Sequence, residues 1–284
     1  MILEVVMINV KKLFTPVRSM DSDAAKQYMA EHKEGFYTLL DVRQPQEYEK
    51  NHISGAKLIP LPVLGDEIHQ LDPGKPIIVY CAIGGRSRAA AQFLSGASFK
   101  EVYNLSGGIQ AWNGVTAKGP VELNMELVRG DETPLEIIRL AYAMEMALER
   151  FYARLNSRTK YPQLSDFYSK MESAEQGHKK SLLRLLREVD PHAQDVEAFE
   201  ADIQSQTMEG GFDAVSFLEE NEPHLKTIPD ALSLALMLES QALDLYLRFS
   251  DRISDPLSKN ALYKIADEEK SHLSVVAKML EKQI

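Results

Sequence analysis

Cysteine is nearly absent from this sequence, since Cys81 is the single one among 284 residues. One cysteine excludes an intrachain disulfide framework and any metal site made from four cysteines of one chain. Long apolar runs are also missing, because none approaches the ~20 residues that cross a bilayer. The opening segment MILEVVM is too short, and lacks the basic start, for a secretory signal. We therefore expect a cytoplasmic protein that does not bind membranes.

Basic residues are fewer than acidic residues. The sequence has 32 Lys and Arg residues against 42 Asp and Glu residues, which gives a formal net charge of −10. This balance argues against nucleic acid or an anionic membrane as a partner. The hydrophobic share of 44% and the charged share of 26% are ordinary for globular proteins, and the length allows two domains with separate cores.

The two parts of the sequence have different patterns. Between Tyr37 and Trp112, short β-rich runs alternate with helical stretches, which predicts an α/β domain with a mainly parallel sheet flanked by helices. After Thr133 the pattern predicts four long helices that begin at prolines or capping residues. We expect these helices at about 134–157, 162–190 and 229–251, and from 256 nearly to the end.

A long segment separates the second predicted helix from the third, and its stretch VEAFEADIQSQ predicts a short helix. Such a crossover is typical of an all-α, ferritin-like four-helix bundle. The predicted domains are therefore 1–115 for the α/β part and 134–284 for the bundle, with a polar, glycine-containing linker at 116–133.

Cys81 follows the apolar run IIVY and precedes AIGGRSRAAAQFL, which places it at a turn from a strand to a helix. Such a turn directs backbone N–H groups and a helix N-terminus at the sulfur, and Arg86 adds a positive charge. Both effects lower the pKa of a thiol. The alternative is a buried structural cysteine, but the glycine pair and the arginine that follow favour a reactive one.

The first part resembles the single-domain rhodanese family of sulfurtransferases. The resemblance covers about residues 19–115 and lies in DVRQPQEYEKNHISGAKLIP, CAIGGRS and VYNLSGGIQAW. It implies that Cys81 takes a sulfane sulfur from a donor such as thiosulfate or a persulfide and passes it, as a cysteine persulfide, to a thiol acceptor or cyanide. It further implies a catalytic role for Cys81 and Arg86. The implied substrate-binding loop consists of Ala82, Ile83, Gly84, Gly85, Arg86 and Ser87.

Details of the rhodanese resemblance bear on which substrate the domain uses. Four residues separate Cys81 from Arg86, as in single-domain rhodaneses, whereas related phosphatases have five, so sulfur is favoured over phosphate. Asp41 and Arg43 match a segment that orders the loop from beneath, and His52 matches a packing motif. Ala82 stands where several members of the family have a basic residue, so the donor stays open.

The second part contains one metal-binding pattern twice. A glutamate is followed after 30 residues by Glu-x-x-His, and the second set lies 94 residues after the first. The two sets are Glu145, Glu175 and His178, and Glu239, Glu269 and His272. Residues three apart share a helix face. A four-helix bundle can bring six such side chains together, if two of its helices supply one Glu each and the other two supply one Glu-x-x-His each.

Charge and surroundings favour a dinuclear metal site over solvated helix faces. Four buried carboxylates are costly alone, and two divalent cations neutralise them. Oxygen and imidazole ligands favour iron or manganese. The neighbours of Glu145 include Met144 and Leu148, an apolar setting that an exposed face would not supply. Tyr152 and Tyr246, each seven residues after a leading glutamate, either hydrogen-bond the ligands or pack in the core.

This part resembles the rubrerythrin branch of the ferritin-like superfamily over about residues 130–282, through AMEMALERFY, LMLESQALDLY, AEQGH and EEKSH. The resemblance implies two iron ions that reduce hydrogen peroxide, activate dioxygen or oxidise ferrous iron. It also implies a homodimer. The four-cysteine iron centre of rubrerythrins proper is missing, so an external electron donor is needed. Ala242 stands where some members have a further glutamate.

The sequence thus predicts a sulfurtransferase joined to a di-iron oxidoreductase of the peroxide-reducing kind. The alternative is an iron-binding or ferroxidase module joined to a persulfide carrier or sensor that is not itself catalytic.

Overall fold

A computed structural model describes residues 17–191, 196–201, 203 and 206–282. It divides the chain into two compact units, Met1–Leu123 and Asn124–Ile284. The division falls inside the segment predicted as a linker, and that segment has structure at both ends. Thr116–Ala117 forms a strand in the first unit, and Met125–Leu127 forms a 3-10 helix in the second, where Val128 is buried.

The first unit contains the predicted parallel sheet. Its strands are β1 (Arg18–Met20), β2 (Thr38–Asp41), β3 (His52–Ile53), β4 (Lys57–Leu58), β5 (Ile77–Tyr80), β6 (Val102–Leu105) and β7 (Thr116–Ala117). Five of them form one sheet in the order β1-β6-β5-β2-β4, in which every neighbouring pair is parallel. β3 and β7 form a separate antiparallel pair. The helices are α1 (Ser22–Glu31), α2 (Pro45–Lys50), α3 (Leu64–Glu67) and α4 (Gly85–Gly96).

β5 is the middle strand and is buried on both faces. Its sequence IIVY is apolar throughout, as expected for a strand inside a covered parallel sheet, and all four residues have 0% exposure. Because side chains alternate along a strand, Ile77 and Val79 join one core cluster, whereas Ile78 and Tyr80 join another. Cys81 therefore lies at the carboxyl end of the central strand, the edge at which parallel sheets place their ligands.

The second unit is the predicted bundle of four long helices. The described part of its crossover contains two short α-helices. The helices are α5 (Pro134–Arg158), α6 (Pro162–Val189), α7 (Val196–Ala201), α8 (Ala214–Asn221), α9 (Ile228–Arg252) and α10 (Pro256–Glu281). Each long helix has proline in its first turn, and capping boxes start α5 at Thr133 and α9 at Thr227.

The long helices pack as two pairs, α5 with α6 and α9 with α10. Three residues connect the helices of each pair, which is the usual length for neighbours in a bundle. Within the crossover, a 3-10 helix at Glu209–Gly211 packs against α9 and α5. Among the described helices, none has the length and apolar content that a membrane span requires.

Candidate functional sites

The loop after β5 surrounds the sulfur of Cys81 with hydrogen-bond donors. Cys81 is 1% exposed. The Gly84 N–H donates to its Sγ at 3.1 Å, and Ser87 Oγ lies 3.4 Å from the same atom. Gly84 has a φ of +97°, a conformation that glycine adopts at little cost and that turns the chain from the loop into α4. The local sequence thus folds into the predicted strand-to-helix turn.

Two opposing effects set the pKa of the Cys81 thiol. Burial raises the pKa, because a thiolate is poorly solvated inside the protein. Hydrogen bonds from the Ser87 side chain and from the loop N–H groups of Ile83, Gly84 and Ser87 act the other way, and the pKa falls below its ordinary value. The loop therefore favours the nucleophilic thiolate.

The turn that follows β6 holds the loop from beneath. Gly108 has a φ of +59°, and a Cβ at this position would lie 2.3 Å from the carbonyl oxygen of Cys81. The N–H of Ile109 donates to that oxygen at 2.9 Å, and the N–H of Gln110 donates to the oxygen of Ala82 at 3.1 Å. With these carbonyls bound on one side, the loop N–H groups are left for the sulfur.

Arg86 makes an ion pair that sequence reasoning missed. Its guanidinium donates to both carboxylate oxygens of Glu47 on α2, at 2.7 Å each. This bond with Arg86 holds the pKa of Glu47 at about 2. Hydrogen bonds from Ser87 and the loop are the largest causes that lower the pKa of Cys81, and the thiolate also interacts favourably with the charge of Arg86. Glu47 lies inside the segment that carries the rhodanese resemblance, but nothing in its spacing indicates a partner 39 residues away.

The remaining loop residues differ in exposure. Ile83 is 65% exposed, whereas Ala82 is half-buried. At the end of β2, Asp41 forms a buried ion pair with Arg43 at 2.7 Å, and Arg43 also donates to the carbonyl of Asn51. His52 stacks on Tyr48 with ring centres 3.6 Å apart. These contacts stabilise the fold and do not reach the sulfur.

The bundle brings the six predicted metal ligands together in two groups. α5 and α6 supply Glu145, Glu175 and His178, while α9 and α10 supply Glu239, Glu269 and His272. In each group, one ligand atom per residue lies within 4.8 Å of the others. The four carboxylates are at most 2% exposed. The imidazole rings of His178 and His272 stack with their centres 3.5 Å apart.

The polar atoms of this centre fit a metal ion better than they fit one another. His178 Nδ1 lies 2.8 Å from Glu175 Oε2, yet neither atom has a hydrogen-bond partner of acceptable geometry among the described residues. The same holds for His272 Nδ1 and Glu269 Oε2. Buried polar groups without partners are costly. Converging donor atoms that make no hydrogen bonds to one another are what a cation at the centre requires.

A fifth carboxylate, which sequence reasoning missed, lies at the same centre. Glu209 comes from the crossover and is 1% exposed. One of its oxygens lies within 4.8 Å of ligand atoms on Glu145 and Glu269. The only signal in the sequence is a glutamate before a glycine pair, in a segment with no helical period. The hydroxyl of Tyr246 donates to Glu209 at 2.8 Å, whereas the hydroxyl of Tyr152 has no hydrogen-bond partner among the described residues.

Crowding among the carboxylates shifts their pKa values. Burial, followed by repulsion from neighbouring carboxylates, raises the pKa of Glu145 and of Glu269 well above the usual range. The same causes raise the pKa of Glu209 to about 8. Burial opposes ionisation of Glu239 as well, but the neighbouring side chains of His272 and Glu269 lower its pKa overall. Metal binding must therefore displace protons from this centre.

Comparison with known proteins finds a family match in each of the two units. A family model described as rhodanese-like domain matches residues 24–114, and one described as rubrerythrin matches residues 136–210. The thiosulfate sulfurtransferase GlpE of Pseudomonas syringae is 39% identical over 74 residues, which are 26% of this chain and 70% of the relative. The chain belongs to the rhodanese family, and it joins a rhodanese-like domain to a rubrerythrin domain.

Other relatives cover only part of the chain. The uncharacterized protein YqhL of Bacillus subtilis is 43% identical over 76 residues, 27% of this chain, and the chain spans 60% of that relative's length. A crystal structure of a rhodanese-like domain protein from Staphylococcus aureus is 28% identical, with a TM-score of 0.32, and the match covers 34% of this chain and 92% of that one. The rubrerythrin match includes Glu145, Glu175, His178 and Glu209 and ends before α9.

Proposed function

We propose that the rhodanese-like domain transfers sulfane sulfur through a persulfide on Cys81, from a donor such as thiosulfate or a persulfide to a thiol acceptor. The observation that supports this function best is a buried thiol with a lowered pKa, hydrogen-bonded by Gly84 and Ser87. A buried structural cysteine has no need of such donors.

The transfer requires two displacements at sulfur. The Cys81 thiolate attacks the terminal sulfur of thiosulfate, a new S–S bond forms, and the bond to the sulfonate breaks so that sulfite leaves with the electron pair. The loop N–H groups then stabilise the charge of the terminal sulfur. A thiolate acceptor attacks that sulfur, takes it, and returns Cys81 as a thiolate. No outside oxidant or reductant is needed.

Arg86 has the position and the charge to bind the anionic donor. It lies five residues after Cys81, and its guanidinium is about one-third exposed. The planar guanidinium suits a sulfonate, which it can bind through two N–H groups. In the structure these groups bind Glu47, so a donor competes with that carboxylate.

Sulfur transfer is tested with thiosulfate as donor and cyanide as acceptor. We expect thiocyanate from the wild-type protein and none from Cys81→Ser, and a mass gain of one sulfur atom on the wild-type chain after thiosulfate treatment. Unchanged turnover in Cys81→Ser would overturn the proposal. A persulfide that passes to one partner protein, but not to cyanide or small thiols, would instead identify a carrier or sensor.

We propose that the rubrerythrin domain binds two iron ions, with manganese as the alternative, and acts as a peroxide reductase that depends on an external electron donor. The converging, unpartnered atoms of Glu145, Glu175, His178, Glu269 and His272 support the metal centre. When bound, two ferrous ions supply the two electrons that reduce peroxide to water. The surrounding helices exclude bulk water, and the glutamates and histidines hold the ions in place.

The metal proposal is tested in two steps. Metal analysis of freshly isolated protein is expected to give two iron ions per chain. Anaerobic peroxide consumption by the reduced, iron-loaded protein is expected to be lost in Glu175→Ala. Ferrous oxidation followed by growth of a mineral core, without peroxide consumption, would favour the ferroxidase alternative. Sedimentation of the loaded protein tests the predicted homodimer.

A further inference from the structure

We propose that Glu209 is a seventh protein ligand of the metal centre, supplied by the crossover rather than by the four long helices. The inference rests on the proposed metal centre, which requires only the six residues of the repeated pattern. It adds a carboxylate between the two groups, because an oxygen of Glu209 lies within 4.8 Å of ligand atoms on Glu145 in one group and on Glu269 in the other.

The two oxygens of Glu209 have different surroundings. Oε1 accepts a hydrogen bond from the hydroxyl of Tyr246 at 2.8 Å. Oε2 is buried and has no hydrogen-bond partner among the described residues. One oxygen is thus fixed in orientation while the other is left for a cation. A carboxylate that only packed the crossover would leave Oε2 unpaired inside the protein, which is unfavourable for a buried acceptor.

The backbone around Glu209 is built for close approach to the bundle. Gly210 and Gly211 have φ values of +72° and +81°. A Cβ on Gly210 would lie 2.8 Å from the Cβ of Gln241 on α9, and a Cβ on Gly211 would lie 2.0 Å from Asn124 Nδ2. Asn124 Nδ2 donates to the carbonyl of Gly210 at 3.0 Å. Glycine at both positions is what lets the chain bring Glu209 to the centre.

Backbone hydrogen bonds also hold the turn on either side of the glycines. The N–H of Met208 donates to the carbonyl of Phe212 at 2.8 Å, and the N–H of Gly211 donates to the carbonyl of Met208 at 3.0 Å. Met208 itself is 0% exposed. The turn is therefore anchored in the core, and the Glu209 side chain has little freedom to leave the cluster.

The negative charge of Glu209 should affect the reduction potential of the metal centre. With Glu209, five carboxylates face the two ions, against four in the repeated pattern. Five negative charges exceed the four positive charges of two ferrous ions, and fall one short of the six positive charges of two ferric ions. Glu209 should therefore favour the ferric state, and its removal should raise the reduction potential of the iron pair.

The test compares the wild-type chain with Glu209→Gln, Glu209→Ala and the matched control Glu219→Gln, an exposed glutamate of the same crossover. Each protein is titrated with Co²⁺, whose absorption reports its ligands, and its Tm is measured with and without Co²⁺. We expect the affinity to fall by about tenfold or more in Glu209→Ala, since even groups that only support a ligand cost this much. The control should match the wild type.

The thermal measurement separates a ligand from a structural residue. As a ligand, Glu209 adds repulsion to the metal-free protein, so Glu209→Gln should leave the metal-free Tm unchanged or raise it, while the gain in Tm on adding Co²⁺ shrinks. An equal loss of Tm with and without Co²⁺ would show a structural role and overturn the inference. So would wild-type affinity and an unchanged Co²⁺ spectrum in both variants. If the wild-type chain binds no Co²⁺ or Fe²⁺, the metal centre itself fails.

Discussion

Arg86 and Glu47 form a two-pronged ion pair in which Nη1 lies 2.7 Å from Oε2 and Nη2 lies 2.7 Å from Oε1. Both side chains are 35% exposed, so the pair is open to solvent and to anions. The guanidinium that should bind a sulfur donor is already bound to a carboxylate of its own chain. Anion binding at this loop therefore depends on competition between Glu47 and the donor.

Replacing Glu47 by Gln should tighten thiosulfate binding. The amide keeps the size of the side chain and removes one negative charge from the path of a dianion. Exposed ion pairs contribute about 0.2–1 kcal/mol, so we expect KM to fall up to about fivefold, with a larger effect at low salt and little change in kcat. Steady-state kinetics at two ionic strengths measure this, with Glu49→Gln on the same helix as the control. A higher KM would show that Glu47 orients Arg86 for binding.

Replacing Ser87 by Ala should move the pH profile of sulfur transfer. Ser87 stabilises the Cys81 thiolate, so its loss should raise the pKa of Cys81 and shift the acid limb of kcat/KM to higher pH. At pH values well above the Cys81 pKa of both proteins, the rates of the variant and the wild type should converge. The Ser87 hydroxyl also lies 2.6 Å from Asn104 Oδ1, and its single proton serves one acceptor at a time. Ser95→Ala on the same helix is the control, and a uniform loss at every pH would contradict the prediction.

Replacing Gly108 by Ala should displace the loop. The added Cβ would lie 2.3 Å from the Cys81 carbonyl oxygen and 2.6 Å from the Ala82 carbonyl carbon, at a φ of +59°. The positive φ alone costs about 1–2 kcal/mol. We expect lower unfolding free energy and a loss of sulfur transfer larger than the loss of folded protein. Gly65→Ala is the control, because its Cβ would meet only Phe93, at 3.7 Å.

The metal-free protein should lose stability as pH rises from about 5 to 8. Glu145, Glu209 and Glu269 have raised pKa values, so the folded state holds more protons than the unfolded state in this range, and stability falls with pH. His272 acts in the same direction, because its carboxylate partners raise its pKa although burial opposes this. The lowered pKa of Glu239 matters only in acid.

Urea unfolding in a chelator at several pH values measures this dependence. The metal-loaded protein is the comparison, and it should not lose stability over the same range, because metal binding already holds the carboxylates ionised. Equal pH dependence in both forms would mean that these carboxylates do not hold the metal.

How far the sequence predicts each site depends on whether the information is local. The four long helices and the convergence of their six candidate metal ligands could be predicted, because a helix repeats its faces at a fixed spacing and Glu-x-x-His places two side chains on one face. The Cys81 loop could be predicted from its strand, glycine pair and helix. Glu209 could not, because its position depends on a turn that lies close to Gln241 and is hydrogen-bonded by Asn124, both distant in sequence.

The pairing of Arg86 with Glu47 also lies beyond the local sequence. It depends on how α2 and α4 lie against each other at the carboxyl edge of the sheet, and no spacing along the chain encodes that. Tyr152 and Tyr246 are the opposite case, because the sequence repeats them at the same spacing but their contacts differ. Tyr246 donates a hydrogen bond to Glu209, whereas the Tyr152 hydroxyl has no partner among the described residues.

Tyr152 and Tyr246 should respond unequally to the same change. The hydroxyl of Tyr246 donates to Glu209 at 2.8 Å, and hydrogen bonds to charged groups contribute about 1.5–3 kcal/mol. Tyr246→Phe should therefore destabilise the metal-free protein by about this amount at pH 9, where Glu209 is ionised, and by less at pH 6. Tyr152→Phe should be nearly neutral, because it removes a buried hydroxyl that has no partner among the described residues. Urea unfolding at both pH values measures the difference. Equal losses of unfolding free energy in the two variants would contradict this prediction. They would show that the two tyrosines have the same role and that the hydrogen bond from Tyr246 to Glu209 does not stabilise the protein.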